Sequence, residues 1–399
     1  METVDYGTFE ATVERSNDLE QALKRDPTRF RVLTGDRPTG RLHVGHLFGS
    51  LENRVRLQGL GVPIFVVIAD YQVLTDRDCA DDIAENVRQL VLDYIAAGLD
   101  PENGRTFIFP HSHVPELNQL LVPFLTLVTN SELNRNPTVK EEIQASGQQQ
   151  INAGMYVYPV HQAADILFCK ATVVPVGKDQ LPHLELTRTI ARRFNARFKG
   201  QAPVFPEPQP LLSNAPIILG LDGSQKMSKS RKNSIMLSAT EDETAKCIKT
   251  AKTDMDRLIT YDPVNRPEVA NLLLLASLCT KREPLDLAAE IKDSGASRLK
   301  SLLTESINEY LRPLRQRRQE LEKDRGYIRH VIHMGIARAR VVAQETLAEV
   351  RQAMGMEYET DHNGQQSKER IACANAHLLR WGNKYEWPYF CIALSRPLI

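Results

Sequence analysis

The segment Thr34-Gly35-Asp36-Arg37-Pro38-Thr39-Gly40-Arg41-Leu42-His43-Val44-Gly45-His46-Leu47 gathers residue types suited to anion chemistry. Glycines at 35, 40 and 45 let a backbone approach a ligand where a side chain would block it. A helix starting near His43 points its N-terminal amides and dipole into the same cleft, which favours negative charge there. His43 and His46 stand three residues apart on one face of that helix. Imidazoles so placed can hydrogen-bond phosphate oxygens and stabilise charge that develops on them. No carboxylate or cysteine stands by to complete a metal set around the two histidines, so this segment taken alone reads either as a phosphate site or as plain surface histidines.

A second basic segment, Gly220-Leu221-Asp222-Gly223-Ser224-Gln225-Lys226-Met227-Ser228-Lys229-Ser230, lies much later in the chain. Asp222-Gly223 marks a tight turn, which puts the lysines on an exposed loop. Lys226 and Lys229, interleaved with Ser228 and Ser230, supply point charges able to follow pyrophosphate as it leaves. Between the two segments, Tyr158, Gln162 and Asp165 fall at i, i+4 and i+7, on one face of a helix expected to begin at Pro159. A carboxylate on that face accepts a hydrogen bond from a ring donor, an indole N–H or a phenol O–H. Tyr158 and Gln180 are then placed to hold a substrate ammonium.

Parts of this kind need a rigid frame. Apolar runs of strand length occur at 30–33, 63–68, 106–109 and 172–176, separated by helix-length stretches at 44–57, 81–97, 116–133, 159–168 and 181–198. Such alternation predicts βαβ units and a buried parallel sheet, an α/β fold of the Rossmann-type, doubly wound kind. A proline-rich stretch (Pro203, Pro206, Pro208, Pro210) breaks the pattern and is expected to return the chain to the surface. Beyond Ser234 only helical patterning remains. Four segments are therefore expected: an N-terminal extension over 1–28, the nucleotide-binding domain over 29–235, a helical domain over 236–356, and an accessory tail over 357–399. The tail holds Trp381, Tyr385, Trp387, Tyr389 and Phe390.

With 50 Lys+Arg against 50 Asp+Glu, any nucleic-acid surface must be local rather than global. No run of about 18 apolar residues suggests a membrane span. The opening residues Met1-Glu2-Thr3-Val4-Asp5 do not resemble a secretory or mitochondrial leader. Cysteines at 79, 169, 247, 279, 373 and 391 are too scattered for a zinc site or a disulfide framework. A cytoplasmic protein is expected.

The His43-Val44-Gly45-His46 and Lys226-Met227-Ser228-Lys229-Ser230 segments, in that order on an α/β pattern, resemble the two signatures of class I aminoacyl-tRNA synthetases. Within the class, the chain from about 31 to 356 resembles the tryptophanyl-tRNA synthetases of bacterial type. The stretches Tyr158–Leu167, Val174–Gln180, Leu181–Asn195 and Ala343–Met354 carry that likeness. The resemblance implies activation of tryptophan by ATP with Mg2+, transfer to tRNA, and a homodimer. It implies catalytic roles for His43, His46, Lys226 and Lys229. ATP contacts are implied at Gly35, Thr39, Gly40, Gly45, Gly177, Asp179, Met227, Ser228 and Ser230, with Lys140 reaching the phosphates. Amino-acid contacts are implied at Arg37, Gln72, Tyr158, Gln162, Asp165 and Gln180, with Asp165 pairing the indole nitrogen.

The chain departs from the family pattern at Arg37 (often Gln), at Gln72 (often His) and at His161-Gln162 (often Leu-Met), so a more polar pocket is expected. The Tyr158/Gln162/Asp165 pattern is also similar to the tyrosine-binding helix of tyrosyl-tRNA synthetases, which keeps tyrosine open as the substrate. A non-catalytic paralogue is the other alternative. A positive stripe including Arg315, Arg317 and Arg318 suits tRNA phosphates, the other reading being a solvated helix face offset by Glu320, Glu322 and Asp324.

Overall fold

The computed structural model describes residues 9–76, 82–146, 152–198, 202–212, 217–229 and 231–358. Among the described residues five strands make one parallel sheet: β1 (Val32–Asp36), β2 (Ile64–Ile68), β3 (Thr106–Pro110), β4 (Val173–Val176) and β5 (Gln209–Leu212). Their spatial order is β3-β2-β1-β4-β5. This is a doubly wound order, and its direction switches between β1 and β4. The register there consists of the pair Val32↔Val173, at the start of both strands. Towards their carboxyl ends the two strands no longer pair, which leaves room for a crevice.

All five residues of β2 are buried. Ile64, Val66 and Ile68 enter one core with Leu90, Leu273 and Leu299, while Phe65 and Val67 enter another with Phe109, Ala164 and Phe168. The period-2 alternation of a strand thus distributes one apolar run between two layers of helices. Each such side chain contributes roughly 1.5–3 kcal/mol on burial.

Three expectations need correction. The proline-rich stretch contains a strand, β5, with Pro210 opposite Val174. Proline is tolerated because β5 is an edge strand, where a missing N–H breaks no ladder on the outer side. The helix Ala153–Leu167 starts six residues before Pro159, behind Asn152, whose side chain accepts from Met155 N at 2.8 Å. The stretch 116–133 is three short helices, Pro115–Asn118, Leu121–Leu125 and Asn130–Arg135. A fresh capping box between Thr129 and Glu132 starts the last of them. The N-terminal segment forms a helix, Phe9–Arg25, which packs on β5 through buried Leu19 and Leu23.

After residue 236 the regular elements among the described residues are helical, including Glu241–Lys249, Pro267–Thr280, Gly295–Lys323 and Arg325–Met354. They pack directly on the α/β layer: Gly295–Lys323 against Ile83–Ala96, and Arg325–Met354 along β3. Gly335 permits the second contact, since a Cβ there would lie 1.9 Å from the Ile108 carbonyl oxygen. Residues through Met354 form one compact unit. The expected tail lies outside the described residues apart from 357 and 358.

Candidate active site

The segment after β1 leads into the crevice at the switch point. His43 caps the helical run Val44–His46, Leu47–Leu51, Glu52–Gly59. Its backbone N–H donates to His46 Nδ1 at 3.4 Å, and the two rings stand 3.8 Å apart. With His46 Nδ1 accepting, the neutral ring carries its hydrogen on Nε2 and can donate it to a ligand. His43 Nδ1 is buried and finds no hydrogen-bond partner among the described residues. Burial, the neighbouring His46, and the charges of Lys229 and Lys226 push His43 down to about 3. His46 falls to about 4, chiefly through burial, with Lys229, Arg54 and Lys226 adding to the effect against the pull of Asp36. Both rings are neutral at physiological pH, in a field that an anion would relieve.

The late lysine segment closes on the same place. Lys229 Nζ donates to Thr39 O at 2.8 Å and to Thr39 Oγ1 at 3.1 Å. Gly40 has φ +102, and a Cβ there would face the same ammonium at 3.7 Å. At Gly45 a Cβ would press on the His43 ring, 2.9 Å from Nδ1, and would lie 3.4 Å from Met227 Cβ. Gly35 turns out to serve the sheet: its Cβ would meet Val67 O at 2.0 Å. The lysine loop is well tied. Ser228 N donates to Asn233 Oδ1 at 2.8 Å, and Asn233 Nδ2 to Asp222 Oδ2 at 3.0 Å. Met227 is buried while Lys226 is exposed. Ser230 lies outside the described residues.

Two carboxylates behind this cleft, Asp36 half-buried and Asp93 fully buried, escaped sequence reasoning. Asp36, at the end of β1, accepts from Arg54 Nη1 at 2.6 Å and from Tyr94 Oη at 2.5 Å. Burial alone would raise it, but Arg54 outweighs that and holds it at about 2. Asp93 accepts from Leu42 N and from Arg318, and burial pushes its pKa up against both. Arg54 was detectable as a charge at an apolar position of its helix.

On the amino-acid side, Asp165 is 2% exposed and already has a partner. His111, just past the end of β3, places Nδ1 at 3.0 Å from Asp165 Oδ1, and Tyr71 N donates to its Nε2 at 3.0 Å. The neutral His111 ring therefore carries its hydrogen on Nδ1 and gives it to Asp165. Burial lowers His111, but Asp165 and Asp70 raise it more, and the net direction is upward. His161 Nε2 lies 2.7 Å from Asn118 Oδ1, and burial keeps this ring below the ordinary histidine range. Ligand atoms of His111, His161 and Asp165 lie within 4.8 Å of one another, spacing that could admit a cation. With its Nδ1 hydrogen on Asp165, however, His111 offers no lone pair there; the two are a hydrogen-bonded pair, with His161 Nδ1 standing 3.9 Å from Asp165 Oδ2.

Tyr158 is oriented from behind. Asn136 Oδ1 accepts from Thr138 N at 3.1 Å, which turns Asn136 Nδ2 to His183 Nδ1 at 3.3 Å. His183 Nε2–H then donates to Tyr158 Oη at 3.0 Å, leaving the phenol hydrogen for Glu142. Glu142 also lies 3.7 Å from Arg37 Nη2. Burial first, and then Glu142, raise the Tyr158 pKa. A carboxylate beside Tyr158 suits an ammonium, and nothing in the sequence pattern pointed to Glu142.

Gln72 and Gln162 are half-buried, each next in the chain to a ring of this site, Tyr71 and His161. Past β4, Gly177 and Asp179 are exposed and Gln180 Nε2 donates to Asp179 Oδ2 at 3.2 Å. Lys140 is exposed on the helix Pro137–Ser146. Two of the expected tRNA contacts are overturned. Arg315 is buried on Asn308 and Thr244, and Arg318 is buried on Asp93 and Gln89. Their positions on the inner face of the helix Gly295–Lys323 explain this, and Arg317 between them is exposed.

Residues 25–312 match the family model described as tRNA synthetases class I (W and Y). The tryptophan–tRNA ligase of Clostridium longisporum is 41% identical over 335 residues, covering 82% of this chain and 97% of that one. The corresponding ligase of Streptococcus pneumoniae is 42% identical over 343 residues, covering 83% and 99%. Among solved structures, the tryptophanyl-tRNA synthetase of Campylobacter jejuni, complexed with ADP and tryptophan, superposes with a TM-score of 0.71 at 28% identity. It covers 82% of this chain and 99% of its own. A tyrosyl-tRNA synthetase of Archaeoglobus fulgidus shares the fold, with a TM-score of 0.58 at 22% identity.

Proposed function

We propose that this chain, which belongs to the class I tRNA synthetases for tryptophan and tyrosine and within them to the tryptophan–tRNA ligases, activates tryptophan with ATP and transfers it to tRNA. The observation that carries the site assignment is the meeting of Lys229, Thr39, His43 and His46 at the switch point of the sheet. The unpartnered His43 Nδ1 and the depressed histidines fit a polyphosphate, which brings acceptor oxygens and negative charge together.

In the first step the tryptophan carboxylate, ionised at neutral pH, attacks the α-phosphorus of ATP in line, and pyrophosphate leaves. His46 donates through Nε2, while Lys226 and Lys229 follow the charge onto the leaving phosphates. Mg2+ held by the ATP phosphates would supply further charge neutralisation there. Asp36, beside His46, is taken by Arg54 and Tyr94 and is not offered as a metal ligand. Asp165, held by His111, retains lone pairs for an indole N–H, and Tyr158 with Glu142 receives the ammonium. In the second step a terminal ribose hydroxyl of tRNA attacks the acyl carbon of the adenylate, forming the ester as the acyl–phosphate bond breaks and AMP leaves.

Residues 29–235 are the catalytic domain in this reading, and 236–356 the tRNA-binding domain, with Arg317 on its outer face. A homodimer is proposed from the family, and a cytoplasmic location too; no helix of the described residues is long and apolar enough to cross a membrane. Amino-acid-dependent ATP–pyrophosphate exchange tests the assignment. Exchange with tryptophan and not with tyrosine is expected. Exchange with tyrosine instead would overturn the substrate, and exchange with neither would point to the non-catalytic paralogue.

A further inference from the structure

Leu42 immediately precedes His43, and its buried backbone N–H donates to Asp93 Oδ2 at 2.7 Å. The other oxygen of the same carboxylate, Oδ1, takes Arg318 Nε at 2.7 Å. Asp93 is 0% exposed and Arg318 is 4% exposed. Arg318 Nη2 donates to Gln89 Oε1, which also accepts from Arg41 Nε at 3.0 Å. On its other side the segment is held by Leu237 N, which donates to Leu42 O at 3.0 Å, and by Val44 N, which donates to Ile235 O at 2.9 Å. Arg41–Val44 is therefore clamped between the stretch that follows the lysine loop and an ion pair. One member of that pair comes from the helix Ile83–Ala96, the other from the late helix Gly295–Lys323.

A buried ion pair is a poor source of stability, because desolvation of the two charges offsets their attraction. Apolar residues of similar volume would hold these two helices together as well. They could not satisfy the Leu42 amide, nor orient the carboxylate that does. We propose that Asp93 and Arg318 are positioning residues for the ATP-binding segment, through which the helical layer sets where His43 and His46 stand. The proposal rests on ATP being the ligand of the His43–Lys229 cleft. It also gives Arg318 a role that its place among basic residues of the sequence concealed.

The test is direct binding of ATP, and separately of tryptophan, by equilibrium dialysis on the full chain, with thermal melts alongside. Arg318→Lys keeps the charge but loses the planar fork that spans Asp93 and Gln89. Asp93→Asn keeps an acceptor for Leu42 but loses the counter-charge. A displaced ligand-binding segment should weaken ATP binding about 10-fold or more in each variant, while tryptophan binding stays within about twofold. If the two residues act as a unit, the double variant Asp93→Asn with Arg318→Lys binds ATP no more weakly than the poorer single variant. Hydrogen exchange gives an independent readout, since the Leu42 amide should exchange faster in Arg318→Lys while the 52–59 helix keeps its protection. Unchanged ATP affinity, or equal losses for both ligands in step with the melting temperature, would overturn the positioning role. Should Asp93→Asn fail to fold, Arg318→Lys decides alone. Failure of the wild-type protein to bind ATP would remove the reading of the cleft itself, and this proposal with it.

Discussion

The two halves of the cleft are built on opposite electrostatic plans. On the phosphate side, histidines are forced neutral by burial and by lysines, one ring nitrogen is left without a partner, and the carboxylate nearby is spent on an arginine. On the amino-acid side, acid and imidazole satisfy one another: Asp165 with His111, His161 with Asn118, Tyr158 with His183 and Glu142. The first half has an unmet demand for negative charge. The second is internally complete and must share its acceptors with a ligand. Binding of a polyanion should therefore depend on charge, and binding of the amino acid on geometry.

Removing Lys229 should break this contrast most severely. Lys229→Ala is expected to lower the exchange rate by about 10²–10³, the usual loss for one donor to a developing charge, with the tryptophan KM unchanged. A comparable rise in the tryptophan KM would mean the two halves are not separable. Next in size, Asp165→Asn should raise the tryptophan KM by roughly 10–100-fold, from loss of a hydrogen bond to a charged acceptor, and leave the ATP KM alone. Steady-state exchange against each substrate reads both.

The histidines should sharpen the contrast through the sign of their pH dependence. His46 has a folded pKa near 4, below its unfolded value, so the stability it contributes is complete above pH 6.5 and is lost as pH falls towards 4. At pH 5 the loss is about 2 kcal/mol, and His46→Gln should flatten that slope in urea melts. His111 is shifted upward, so its contribution is complete below pH 6.5 and is lost as pH rises through its folded value. His111→Gln should therefore cost more at pH 6 than at pH 9. Parallel slopes for the two variants would dissolve the distinction.

Much of this arrangement was legible in the chain itself. Four strands announced themselves as apolar runs, and the two phosphate-handling segments could be placed at a helix start and a loop. Parity hid other features. Arg315 and Arg318 sit beside Arg317 in sequence, but the helical period turns them inward and Arg317 outward. Pro210 disguised β5, because a proline argues against a strand unless its edge position is already known. Pro159 likewise suggested a helix start that Asn152 in fact provides. His111 stands 54 residues before Asp165 and is brought to it by the folded sheet, whereas Glu142 reaches Tyr158 through the packing of two consecutive helices, Pro137–Ser146 and Ala153–Leu167. His111 did carry a signal, since it directly follows the carboxyl end of a strand, where such sheets keep their ligands.

Gly335 has a consequence beyond the fit of one helix. Arg105 O accepts from Ile64 N, so Arg105 and Phe107 turn their polar groups towards β2, and Ile108 turns its own outward. The helix Arg325–Met354 thus lies over the bare margin of the sheet, and only a residue without a side chain lets it sit so close. A larger residue at 335 would lift this cover and present a row of amides and carbonyls to any passing strand. The damage would then appear first as self-association during folding or storage, before it appeared as lost activity.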